Sequence, residues 1–285
     1  MSYAYQTISA KLDGGVLTAT LNNPPINIMT GQLYSELVAF TLEVEQDDEV
    51  RVLVFESADP DFFIAHFDLE LILSFPEDQP AERSESLSDF HLMCERVRTM
   101  PKATIAKIAG RVGGGGSEFG AACDMRFGLI GKTVINQMEV PLGILPGGSG
   151  TQHLPRLMGR GRAMEIILGA IDLDAETAER WGYLNRAFST MRELDEYVNA
   201  LARRMALWPK DALALAKQSI LNAELPIEDG LKEEAWLFQK ALRFPEAQRL
   251  MKLAMQMGAQ TREGEMRIAD LCEEIGVAST KPEGG

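Results

Sequence analysis

Cysteine and histidine are scarce, with three of each in 285 residues. Cys94, Cys123 and Cys272 lie far apart, their number is odd and no Cys-x-x-Cys occurs. That excludes a disulfide framework and a cysteine-ligated structural zinc. The histidines, His66, His91 and His153, form no paired spacing with Asp or Glu that argues for a metal. Positive charge is short too: 28 Lys and Arg stand against 42 Asp and Glu, for a net charge of −14. Such a chain is a poor partner for nucleic acid or an anionic membrane, although a few local basic residues suffice for a phosphorylated ligand. No apolar run reaches membrane-spanning length. Met1 to Gln6 carries neither a basic start nor an apolar signal core, so the expected location is the cytoplasm. What is plentiful is apolar side chain, 46% of the residues, enough for one large core or one core plus a smaller unit.

The pattern along the chain changes once. Gly15–Leu21 alternates as a strand after the turn at Asp13-Gly14, and Thr30 can cap a helix with apolar Leu33, Leu37, Val38 and Leu42. Val50–Phe55 reads as a buried strand, Phe67–Leu73 as a short helix, Pro76–Ser88 as a polar loop, and Leu87–Thr99 as a helix stopped by Pro101. Strands follow at Thr104–Ala109, Met125–Ile130 and Thr133–Ile135, then a tight loop at Pro146–Gly150 and one helix from Thr151 to Leu168. After about residue 190 strand signals stop, and Leu194–Leu207, Asp211–Asn222 and Gly230–Leu242 are helical. Alternating strands and helices predict an α/β core with a largely parallel sheet, followed by a helical appendage and a disordered tail from Ala278 to Gly285.

Four consecutive glycines, Gly113–Gly116, run into Ser117 and Glu118. A dinucleotide fingerprint needs glycine at n, n+2 and n+5, and every frame fails, on Glu118, Phe119 or Ser117. Gly131-Lys132-Thr133 lacks the glycine six residues before the lysine, where Arg126 stands, so no phosphate loop is present. Gly115-Gly-Ser117-Glu-Phe119 misses a nucleophile elbow because the last glycine falls at 120. Placed between the strand 104–109 and a helix starting near 117, the glycines have two readings. They permit tight helix–strand packing, or they expose backbone N–H groups that hold an oxyanion. Glu118 then lies in the first helical turn, and Glu139 follows 21 residues later among apolar neighbours. Two carboxylates in an apolar pocket can separate their pKa values and divide acid and base work.

Taken in order, these segments resemble the enoyl-CoA hydratase/isomerase, or crotonase, family. The likeness rests on Pro24-Pro-Ile26-Asn27, Phe63-Ile-Ala65-His66-Phe67-Asp68-Leu69, the glycine run with Glu118, Glu139 through Gly143, Pro146 and Gly147 to Gln152, and Ala175–Gly182. The resemblance implies a crotonase-like ββα spiral core over residues 1–195 and a helical C-terminal oligomerisation domain over 196–285, assembled as trimers or hexamers. It implies an oxyanion hole from the backbone N–H groups of Phe67 and Gly115, and acid/base work by Glu118 and Glu139. It further implies contacts to an acyl-CoA at Ile26, Ala65, His66, Asp68, Gly114 and Gly147. The reaction implied is hydration of a 2-enoyl-CoA, with Glu139 giving a proton to the α-carbon and Glu118 activating water, and with no metal or redox cofactor. Another reaction through the same enolate, double-bond isomerisation or C–C hydrolysis, stays open, as does a binder without turnover.

The chain departs from the family pattern at His66, where the family has glycine, and at Phe67, which replaces a small residue. His66 is left open between a pocket-lining and a catalytic role. The C-terminal helices lack the family's Phe-x-Glu-Lys-Arg ending, and Lys252 is a candidate substitute for its CoA-contacting lysine. Met251, Met255 and Met257 are expected in core or interface packing.

Overall fold

Strand β3 (Val52–Ser57) shows how the fold is built, because its side chains enter two different cores. Leu53 and Phe55 join the larger apolar cluster, while Val52 and Val54 join a second one on the other face. A strand buried on both faces reads as a continuous apolar run, as Val50–Phe55 does. The fold is taken from a computed structural model that describes residues 3–75, 80 and 83–279.

Among these residues the strands are β1 (Ile8–Asp13), β2 (Val16–Leu21), β3, β4 (Phe62–Ile64), β5 (Ala103–Ile108), β6 (Arg111–Gly113), β7 (Met125–Leu129), β8 (Val134–Asn136), β9 (Leu173–Asp174) and β10 (Arg186–Phe188). One six-stranded sheet has the order β1-β2-β3-β5-β7-β10, parallel except for the β1–β2 hairpin. A smaller sheet has the order β4-β6-β8-β9, antiparallel only at β8–β9. The helices are α1 (Gly31–Gln46), α2 (Leu69–Leu73), α3 (Asp89–Thr99), α4 (Gly114–Ala122), α5 (Gly150–Met158), α6 (Arg160–Gly169), α7 (Ala175–Trp181), α8 (Met191–Ala206), α9 (Lys210–Leu221), α10 (Ile227–Ala241), α11 (Pro245–Gln256), α12 (Arg262–Met266) and α13 (Ile268–Ser279).

Helix α1 starts where Thr30 accepts a hydrogen bond from the Leu33 N–H. It buries Leu33, Leu37, Phe40 and Val44, one face at helical spacing. Of the expected apolar face, Leu42 instead points outward at 45% exposure. Helix α8 covers the opposite face of the large sheet, with Leu194, Val198, Ala202 and Ala206 against Val16, Val52, Val54 and Ile105. The boundary at 195/196 therefore falls inside α8, which packs on the core sheet. No helix among the described residues is long and apolar enough to cross a membrane.

Four local expectations are corrected. Ile8–Asp13 is a strand, paired with β2 across Gly14 and Gly15, both at positive φ as a two-residue hairpin turn requires. The helix expected over 151–168 is two helices, because Gly159 at φ 85° breaks it. The glycine run does not precede a helix at 117: α4 begins at Gly114, so Glu118 sits in the second turn. Met251 and Met255, expected in core or interface packing, are 45% and 52% exposed, which leaves the interface reading open to them. The helix α13 runs to Ser279, so the expected disordered tail does not begin at Ala278, and residues 280–285 lie outside the described residues. Residues 76–79, 81 and 82 of the expected polar loop also lie outside them, while 83–88 carry no helix or strand.

The glycines allow α4 to press on the backbone of the β4 segment. A Cβ on Gly116 would stand 2.5 Å from the Ile64 carbonyl oxygen, and one on Gly113 would stand 2.7 Å from that of Ala65. Gly116→Ala is expected to lower stability by about 1–3 kcal/mol, the usual cost of overpacking. Gly31→Ala, at an exposed site with nothing within 4 Å, is expected to be neutral or mildly stabilising. Urea melts of the two variants check this, and equal midpoints would remove the packing explanation for the run.

Candidate active site

Glu118 lies on the buried face of α4 at 3% exposure, and Glu139 follows β8 at 8% exposure. Both line one cavity of about 750 Å³. The loop before α5 closes over Glu118: its Oε1 accepts from the Gly148 N–H at 2.9 Å and the Gly150 N–H at 2.7 Å. That loop must be small there, since a Cβ on Gly148 would stand 2.6 Å from Glu118 Oε2 and 2.5 Å from the Phe90 ring. Glu139 reaches the other side of the helix start, where a Cβ on Gly114 would stand 2.8 Å from its Oε1.

Burial, together with the nearby Glu139 charge, pushes Glu118 up to about 7, against the pull of its two backbone donors. Burial also raises Glu139. Burial thus favours the protonated form of both carboxyl groups, which suits them to acid and base work.

Two backbone N–H groups face the same space. Met29 bridges Phe67 as a parallel pair, with Met29 N–H donating to the His66 carbonyl and Asp68 N–H donating to the Met29 carbonyl. A parallel bridge of this kind turns the Phe67 N–H and C=O to the opposite side. Gly115, second residue of α4, has an N–H that the helix itself leaves unpaired. The Phe67 nitrogen lies 3.6 Å from where a Gly115 Cβ would be, so the two amides are neighbours. Phe67, Gly115 and Gly147 line the cavity, as expected from the sequence.

The remaining expected residues, Ile26, Ala65, His66, Asp68 and Gly114, are not among the residues lining the cavity. Asp68 caps α2, its Oδ1 accepting from the Glu70 N–H at 2.9 Å. His66 is not in the left-handed region, and its Nδ1 lies 2.8 Å from the Phe67 carbonyl oxygen. A proton on Nδ1 then fixes the tautomer and steadies the backbone that carries the Phe67 N–H. Lys252 is exposed and does not line the cavity. Ser117 bonds to no histidine among the described residues, in keeping with the missing nucleophile elbow.

Several wall residues escaped sequence reasoning. Tyr34, Phe67 and Phe90 form a trio with ring centroids 5.6, 5.8 and 5.8 Å apart, brought together from α1, the β4–α2 segment and α3. Nothing in their sequence spacing joins them. The second glycine cluster, at 147–150, was the available signal for the donors to Glu118. Another cavity, of about 380 Å³, lies between α4 and α9, but its charged groups Lys217 and Asp124 already pair at 2.9 Å.

Comparison with known proteins gives a consistent result. The family model described as enoyl-CoA hydratase/isomerase matches residues 11–262. A "Probable enoyl-CoA hydratase" of Rhizobium meliloti (strain 1021) is 32% identical over 241 residues, 83% of this chain and 90% of that protein. A provisionally named enoyl-CoA hydratase of Streptomyces avermitilis is 38% identical, with a TM-score of 0.68 over 96% of this chain and all 100% of that one. The enoyl-CoA hydratase of Bacillus anthracis is 26% identical, with a TM-score of 0.78 over 88% and 96% of the respective chains.

The raised Glu118 has a stability signature. Folded, it titrates near 7, against about 4.5 for an ordinary glutamate. Between those values the folded chain binds more protons, so this contribution is whole below the lower value and is lost as pH rises through the upper one. Glu118→Gln keeps an oxygen for the two backbone donors and cannot ionise. It is expected to stabilise the protein at pH 8 by on the order of 3 kcal/mol. Thermal melts against pH should show the gain fading towards pH 4.5, and a pH-independent difference would contradict a titrating Glu118.

Proposed function

Because the chain belongs to the enoyl-CoA hydratase/isomerase family, we propose that it adds water reversibly across the 2,3 double bond of an enoyl-CoA thioester. The observation that carries this reading is the meeting of two buried carboxyl groups and two unpaired backbone N–H groups in one apolar cavity. In this reading the thioester oxygen accepts from the Phe67 and Gly115 N–H groups, which draws electron density from the β-carbon. Water attacks that carbon as Glu118 takes its proton, and the negative charge collects on the thioester oxygen as an enolate. Glu139 then delivers a proton to the α-carbon. The pair begins with its proton on Glu139 and ends with it on Glu118, and dehydration runs the same steps backwards.

The step needs no group besides thioester and water. Ile26, Ala65 and Asp68 lie on the segments assigned here to the CoA portion, with the acyl chain against Phe67 and Phe90. Exposed Ile227, Trp236 and Phe238 on α10 and Met266 on α12 give copies of this chain an apolar surface on which to assemble. The assembly proposed is a trimer or hexamer, and sedimentation checks it.

Loss of the enoyl-thioester absorbance of crotonyl-CoA tests the reaction. Glu118→Gln and Glu139→Gln are each expected to lower kcat by about 10²–10⁴-fold, the usual worth of an acid or base. A 3-hydroxyacyl product supports hydration. A shifted double bond without water uptake would instead assign isomerisation, and thioester binding without turnover would assign a binder.

A further inference from the structure

Glu139 is joined, through two side chains, to a phenol outside the cavity. Gln137, between β8 and Glu139, is fully buried. Its amide has one orientation that satisfies both ends. The nitrogen donates to Glu139 Oε2 at 3.0 Å and Oε1 at 3.2 Å, and the oxygen accepts from Ser117 Oγ at 3.1 Å. The reverse would set the amide oxygen against an ionised carboxylate. Ser117 Oγ lies 3.2 Å from Tyr183 Oη, and Tyr183 donates to the Ser117 carbonyl at 3.0 Å. Ser117 and Tyr183 are also fully buried, and none of the three residues lines the cavity. The Tyr183 hydroxyl fits beside Gly120, where a Cβ would stand 3.3 Å away.

A carboxylate only accepts hydrogen bonds, whereas a carboxylic acid also donates one. The proposed reaction takes Glu139 from one state to the other. When Glu139 gains a proton, a half-turn of the Gln137 amide lets its oxygen accept that proton and its nitrogen donate to Ser117 Oγ. The Ser117 hydroxyl must then give its own proton to something else. The acceptor within reach is Tyr183 Oη, whose own hydrogen stays on the Ser117 carbonyl. No proton crosses the chain of bonds; only hydroxyl and amide orientations change.

We propose that Gln137, Ser117 and Tyr183 are positioning residues that keep Glu139 hydrogen-bonded in both protonation states, with Tyr183 supplying the acceptor that the protonated state requires. This rests on reading Glu139 as the residue that gives up and regains a proton. The other titratable groups near Glu139 are Glu118 of α4 and His66 of the β4–α2 segment. Those facing Tyr183 are Arg126, 5.7 Å from its ring, with Cys123 and Glu118. Burial pushes the Tyr183 hydroxyl up to about 12, so it stays neutral throughout.

Tyr183→Phe keeps the ring and removes the acceptor. Its effect is read as the pH dependence of crotonyl-CoA hydration and as an infrared titration of the buried carboxyl C=O stretch, assigned with Glu139→Gln. The Glu139 midpoint, and the alkaline limb of kcat that needs Glu139 protonated, are expected to fall by about half to one pH unit, the worth of one neutral hydrogen bond. The limb set by Glu118 and the KM are expected to stay. Ser117→Ala takes a partner from the amide in both states, its oxygen in the ionised state and its nitrogen in the protonated one, so it is expected to shift the midpoint by less than Tyr183→Phe does. Adding Tyr183→Phe to it should move the midpoint no further. An unmoved Glu139 midpoint, or both limbs shifting together, overturns the relay. If crotonyl-CoA is not hydrated, the proposed reaction fails for that substrate and the infrared midpoint alone decides the relay.

Discussion

The structure is organised around the removal of water from two carboxyl groups. Glu118 and Glu139 could be hydrated on the surface at little cost, yet both are buried within one cavity. Burial without partners would be prohibitive for either charge. The fold meets the requirement with backbone rather than cations: Gly148 and Gly150 donate to Glu118, and a neutral amide, Gln137, donates to Glu139. Donors without charge leave both groups raised by burial, which an arginine or lysine in the same place would oppose. Backbone donors in turn need close approach, which glycine permits in the loop before α5, while the glycines at the start of α4 let that helix press on the β4 segment.

Those glycines connect chemistry to architecture. The large sheet holds β5, which leads into β6 and α4, so Glu118 inherits its position from strands packed on both faces. The second carboxyl arrives on the segment after β8 of the smaller sheet, whose neighbour β6 runs directly into α4. The two acids are thus fixed relative to each other by the β6–β8 pairing. The Phe67 amide comes from the segment after β4, on the other side of β6.

Much of this was legible in the sequence where the signal is local. The run Val50–Phe55, the Thr30 cap and the glycine run before Glu118 each announce themselves within a few residues, and the ordered motifs pointed to Phe67, Gly115, Glu118 and Glu139. Boundaries were less legible. Gly114 to Gly116 were read as a loop because glycine is a poor helix former, but the close backbone of the β4 segment leaves no room for anything larger in that first turn. Ile8–Asp13 was missed because its polar residues weaken the strand pattern, while pairing with β2 supplies what propensity does not. The ring trio of Tyr34, Phe67 and Phe90 and the chain from Glu139 to Tyr183 join residues from separate elements, and such contacts leave no periodic trace. His66 was left open between a pocket-lining and a catalytic role, because sequence alone does not show where a side chain turns; its Nδ1 lies 2.8 Å from the Phe67 carbonyl oxygen.

The crowding around Gly148 also bears on how such a protein could change over generations. One added methyl there would collide at once with Phe90 and with Glu118, two residues that line the cavity. A lineage therefore cannot enlarge this position first and adjust later. Phe90 would have to shrink and Glu118 would have to shift or go before the glycine could be replaced. In the proposed reaction each of those steps alters either which acyl chain fits or whether water is activated. Substrate range and catalytic step are thus tied together at a residue with no side chain of its own, and drift towards a new reaction would pass through intermediates that have already given up part of the old one.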